Sequence, residues 1–89
     1  MTYHVRTWLN KEGIYASSTI TAFAGMNSFL GEGNVKTEFF DKKLAIHDCH
    51  YSIRIHQMAD QTNEEYIAKI RTIETVCRNF ANYLERENL

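Results

Sequence analysis

The feature that most constrains this 89-residue chain is a change of period near residue 60. Beyond it, Tyr66, Ile70, Ile73, Cys77, Phe80 and Leu84 recur at alternating spacings of four and three, which puts them in one stripe along a helix. Ile67, Val76, Ala81 and Tyr83 flank the stripe. Before it, polar and apolar residues alternate, as they do in strands whose two sides meet different surroundings. The helix has a defined start. Thr62 and Glu65 have the spacing of a capping box, in which each side chain serves the other's backbone N–H, and Glu64 and Glu65 suit the positive end of the helix dipole. The spacing predicts a helix over about residues 62–86.

The alternating part divides into four expected strands, at about 2–10, 14–24, 34–40 and 44–57. Tyr3, Val5, Thr7 and Leu9 share one side of the first, and the segment NKEG turns the chain into the second. Ile14, Ala16, Ser18, Ile20 and Ala22 share a side there. The segment GMNSFLGEGN, residues 25–34, holds three of the four glycines and reads as a loop, with room for one helical turn at Met26 to Leu30. A second hairpin then turns at Asp41–Lys43. Leu44 and Ile46 have the opposite parity from Ile53 and Ile55, which suggests a bulge near His47 to Cys49. The expected fold class is α+β: a four-stranded, mostly antiparallel sheet of two hairpins with one long C-terminal helix packed on one face, in the order ββββα.

Length limits the chain to one compact domain, residues 1–89, because a core of this size buries only roughly 60 to 65 per cent of the unfolded surface. A formal net charge of -1 gives no bulk field towards nucleic acid or an anionic membrane. Two cysteines, Cys49 and Cys77, are too few and too far apart for a disulfide framework or a paired-cysteine zinc site. They suit a reducing, cytoplasmic compartment. The N-terminal MTYHVRTWLN has no long apolar run, so neither a signal peptide nor a membrane span is expected. The absence of proline carries no functional inference.

The segment HDCHYSIRIH, residues 47–56, holds three of the four histidines and one cysteine. A metal centre needs three or four ligands within about 2.0 to 2.3 Å of one point. His47 with Cys49, or Asp48 with His50, supplies two; His56 lies far along the strand and His4 would have to arrive from the first strand. No metal or other cofactor is expected unless a bulge brings His47, Cys49 and His50 together. A Cys49 nucleophile activated by His47 or His50 needs an exposed, electropositive setting. The parity instead puts Cys49 inward with Tyr51, Ile53 and Ile55, and Cys77 within the helix stripe, as small buried hydrophobes. The glycines match neither a P-loop nor a dinucleotide fingerprint. No catalytic residue is assigned, and the chain is not expected to be an enzyme.

A helix on one side of the sheet leaves the other side open. Parity assigns to that open face His4, Arg6 and Trp8; Tyr15, Ser17, Thr19, Thr21 and Phe23; Lys36, Glu38 and Phe40; and His50, Ser52, Arg54 and His56. Trp8, Tyr15, Phe23 and Phe40 among arginines and histidines mark an interaction surface. The expected partner-binding residues are therefore His4, Arg6, Trp8, Tyr15, Phe23, Phe40, His50, Arg54 and His56.

Three function classes follow. The first is a small non-catalytic binding or regulatory protein that acts through protein–protein contacts on the open face, including a homodimer or an inhibitor of a larger host enzyme of the viral counter-defence kind. The second binds RNA or single-stranded nucleic acid, with rings stacking on bases and cations meeting phosphates. The third is a metal-binding protein or enzyme that uses His47, Cys49 and His50.

Overall fold

A computed structural model describes residues 2–10 and 18–88. Its elements run β1 (Tyr3–Trp8), β2 (Thr19–Leu30), a single 3₁₀ turn (Glu32–Asn34), β3 (Lys36–Asp48), β4 (Tyr51–His56) and α1 (Asn63–Arg86). The fold class is α+β, ββββα, and the four strands form one antiparallel meander in the order β1-β2-β3-β4. The chain divides into two compact units, residues 1–57 with the sheet and residues 58–89 with the helix.

The sheet differs from the sequence reading at both of its later turns. Residues 25–34 are not a loop: β2 continues through Met26 to Leu30, and the reversal is confined to Gly31–Val35, where the Gly31 N–H donates to the Val35 carbonyl at 2.9 Å. Gly33 (φ +69°) and Asn34 (φ +60°) turn the chain, in a region that glycine and asparagine tolerate best. Gly25 sits inside the strand for a steric reason. A Cβ there would lie 3.1 Å from Thr2 Cγ2 and 3.2 Å from Phe23 Cζ, so those side chains would have to give way by a few tenths of an ångström. The expected turn at Asp41–Lys43 does not exist either, because β3 runs unbroken to Asp48.

The second reversal is the two-residue connection Cys49–His50, closed by the Asp48–Tyr51 pair. This replaces the expected bulge. Across a two-residue turn, even positions of one strand oppose odd positions of the other, so Leu44 faces Ile55 and Ile46 faces Ile53 on one side of an uninterrupted ladder. Cys49 takes φ +54°, the left-handed conformation that such turns demand of their first central residue and that a side chain resists. The inward place expected for Cys49 is therefore corrected. It is exposed at the turn, and Cys77 is exposed on the helix.

One side of the sheet is aliphatic: Val5, Ala22, Leu44 and Ile55 form one row across the four strands, and Thr7, Ile20, Ile46 and Ile53 the next. At one end of this side Ser18 Oγ donates to Asp48 Oδ1 at 2.6 Å, and Ser18 is almost fully buried.

In the helical unit the capping box is present: Thr62 Oγ1 accepts from the Glu65 N–H at 3.1 Å, and Glu65 Oε1 accepts from the Thr62 N–H at 3.0 Å. The Thr62 N–H donating to the carboxylate, together with the Thr62 hydroxyl, holds the Glu65 carboxyl below its ordinary range. Within the expected stripe Tyr66 is buried, Ile70, Ile73 and Leu84 are half-buried, and Cys77 and Phe80 are exposed. Among the described residues no helix is long and apolar enough to cross a membrane.

Candidate functional site

Register, rather than any motif, assembles the site. On the side of the sheet opposite the aliphatic rows, the pairings align His4, Phe23, Lys43 and His56 in one row, Arg6, Thr21, Ala45 and Arg54 in the next, and Trp8, Thr19, His47 and Ser52 in the third. Residues directly opposite in an antiparallel ladder share a side and lie close enough to interact. The rows have a common design. The two inner strands contribute Thr19, Thr21 and Ala45, which are small, while β1 contributes Arg6 and Trp8 and β4 contributes Arg54. A floor of small residues beside a wall of large ones makes a hollow.

That hollow encloses about 570 Å³ and is lined by His4, Arg6, Trp8, Thr19, Thr21, His47 and Cys49. At its base Thr19 is 4 % exposed and Thr21 half-buried, with Ala45 beside Thr21 only 5 % exposed, whereas Trp8 is 52 % exposed. Cations stand beside the rings. The Arg6 guanidinium lies 5.8 Å from the Trp8 ring centroid, and Lys43 Nζ lies 5.7 Å from that of Phe23, an arrangement worth about 0.5–1 kcal/mol each at exposed sites. His4 meets Phe23 edge-on at 5.7 Å.

The charge of this face is one-sided. Among the described residues it carries Arg6, Lys43 and Arg54 as fixed cations and Asp41 as its acidic group. Asp41 is engaged within the face, since His56 Nδ1 lies 3.5 Å from its Oδ1 and Asn27 Nδ2 donates to its Oδ2 at 3.4 Å. A chain whose net charge is only -1 thus concentrates positive charge on one side of its sheet.

Of the expected partner-binding residues, His4, Arg6, Trp8, Phe23, Arg54 and His56 share this face, and three of them line the hollow. Tyr15 and Ser17 lie outside the described residues. Two placements are corrected. Phe40 pairs with Met26 on the opposite side, together with Glu38 and Lys36, because β2 and β3 continue as one ladder; Phe39, paired with Asn27, takes the side assigned to Phe40. His50 occupies the β3–β4 turn and belongs to no row. The residues the sequence reading missed are His47, aligned with Trp8 through Thr19, and Cys49 at the rim. Recognising residues 49–50 as the turn would have placed both.

Among the described residues no three His, Cys, Asp or Glu side chains come together closely enough to hold a metal ion. No known protein family, curated protein or solved structure matches this chain.

Proposed function

We propose that this chain is a non-catalytic binding module that docks an acidic surface of another protein on the His4/Arg6/Trp8 face. The observation that carries the reading is the alignment of the three rows: small residues floor a hollow beside the exposed Trp8 and Arg6, and Arg54 lies on the same face. Tryptophan and arginine dominate the energy of protein interfaces when they are packed about a centre that excludes water. A regulator or inhibitor that occludes a larger protein is one form of this function. Its two exposed, unpaired thiols fit action in a reducing cytoplasm.

The pairing of Arg6 with Trp8 and of Lys43 with Phe23 favours one second reading, single-stranded nucleic acid, because a ring flanked by a cation offers a base a stacking surface and its phosphate a partner.

Trp8 is the only tryptophan, so its fluorescence reports on the face directly. Titration with a glutamate-rich peptide is expected to change Trp8 emission saturably, and Arg54→Ala is expected to weaken the binding about tenfold. A uridine-rich oligonucleotide that binds more tightly than the peptide, with affinity falling steeply as salt rises, would move the assignment to nucleic acid. Emission unchanged by either probe would contradict both.

A further inference from the structure

We propose that the free edge of β2, from Met26 to Leu30, is a self-association edge that pairs antiparallel with the same segment of a second copy of this chain. The inference is independent of the docking face, since it concerns main-chain groups at the far end of the sheet. β1 reaches only Ala24 of β2 and β4 only Lys43 of β3, so Gly25–Leu30 and Lys36–Asp41 pair with each other alone. Among the described residues no strand lies on the β1 side of Met26, Ser28 and Leu30.

The direction of the unpaired groups follows from the ladder. In an antiparallel pair, residues that exchange both hydrogen bonds alternate with residues whose N–H and C=O point the other way. Gly31 bonds to Val35 across the reversal, and on the other flank Leu9 donates to Ser18. Odd positions of β2 therefore bond to β3, and even positions point to the β1 side. Beyond β1 those even positions are Met26, Ser28 and Leu30. In the single chain one of these donors is already satisfied by a makeshift, with the Ser28 N–H held by the neighbouring Asn27 Oδ1 at 3.0 Å.

Charge identifies the occupant. Exposed edges are normally guarded by charge, proline or a bulge, and the β3 side of the ribbon carries Lys36, Glu38 and Asp41. β2 has no charged residue and no proline from Thr19 to Leu30, so the stretch that extends past β1 is unguarded. An uncharged strand is self-complementary about a two-fold axis, because no like charges meet across it. With the axis at Ser28, each Ser28 opposes its counterpart and each Met26 opposes Leu30. This register uses every outward-pointing group of the three residues and closes the pair, as an isologous contact does. Met26 and Leu30, 58 % and 70 % exposed in the single chain, then pack on one another across the junction.

Light scattering on the untagged protein over a range of concentrations tests this. Twice the 10.4 kDa chain mass is expected. Ser28→Lys places two ammonium groups opposite each other and is expected to weaken the dimer about tenfold or more; Ser28→Glu does the same with carboxylates. An equimolar mixture of the two variants is expected to restore the dimer as a one-to-one heterodimer, which a folding defect could not produce. Thr37→Lys, on the β3 side, leaves the mass unchanged. A wild-type monomer, an open-ended series of larger species, a dimer indifferent to Ser28→Lys, or folded variants that fail to pair on mixing would each overturn the proposal. Hydrogen exchange supplies a second readout: the Ser28 and Leu30 amides slow in the wild type and exchange fast in Ser28→Lys.

Discussion

The two halves of the β2–β3 hairpin have similar chemistry and opposite fates. In the half flanked by β1 and β4, Ala45 is 5 % exposed although its side chain is a single methyl group. In the half past Ala24 and Lys42, Leu30 is 70 % exposed, Met26 58 %, Phe29 55 % and Phe40 53 %. Hydrophobicity does not decide this; the number of neighbouring strands does. A residue in a four-stranded region has neighbours across both flanks, whereas one in a two-stranded ribbon has a neighbour on one flank, and such ribbons are marginal in water. The aromatic pair Phe29–Phe39, 5.9 Å apart and edge-on, is the ribbon's own partial remedy. The wide half carries the floor of the docking face, and the narrow half carries an edge that lacks a partner.

Substitutions separate the halves in order of size. Ala45→Asp, which sets a carboxylate in the closed floor, is expected to cost about 3 kcal/mol or more and to unfold most of the sheet in urea titrations. Ser18→Ala removes the 2.6 Å bond to Asp48 and leaves that carboxylate without its donor, for about 2 kcal/mol in the same titration. In the narrow half Leu30→Ser should change the stability of the dissociated chain by less than about 0.5 kcal/mol, although Leu30 is larger than either of those residues. A loss as large as that of Ala45→Asp would erase the distinction between the halves. Cys49→Gly, at the turn closing the wide half, relieves a left-handed side chain at φ +54° and should raise stability by about 0.5 kcal/mol.

The helical unit supplies a separate control. Thr62 holds the Glu65 pKa below the ordinary glutamate value of 4.5. A depressed carboxyl pKa contributes stability that is present above the ordinary value and lost as pH falls through the lowered one. Helical circular dichroism is therefore expected to fall over that window more in the wild type than in Glu65→Ala, which lacks the group. Equal acid profiles would remove the cap from the account.

The helix, the strand class and the first pairing were legible in the sequence because each rests on a local signal: the capping box at Thr62, the period of two in β1, the alternation of Ile20 and Ala22. The later turns were not, for opposite chemical reasons. Gly25, Asn27 and Ser28 are turn-formers inside a strand, where the close approach of Thr2 and Phe23 accounts for the glycine. Cys49 and His50 are poor turn-formers that make a turn. The parity switch between Ile46 and Ile53 was visible and has two readings, a bulge or a two-residue reversal; composition favoured the bulge and the ladder formed the reversal. Phe40 went to the wrong side with the expected turn at Asp41–Lys43, because β2 and β3 continue as one ladder there, while His4, Arg6 and Trp8 did not depend on it. The rows that join β1 to β4 were beyond reach, because they arise from the register of three separate pairings.

Whether the face around Trp8 is exposed and positively charged is tested most directly by collisional quenching of Trp8 fluorescence by iodide and by caesium at equal ionic strength. Red-shifted emission that iodide quenches more strongly than caesium is expected, with no dependence on protein concentration, since the β2 edge lies at the other end of the sheet. Blue-shifted emission protected from both ions, or stronger quenching by caesium, would contradict that expectation.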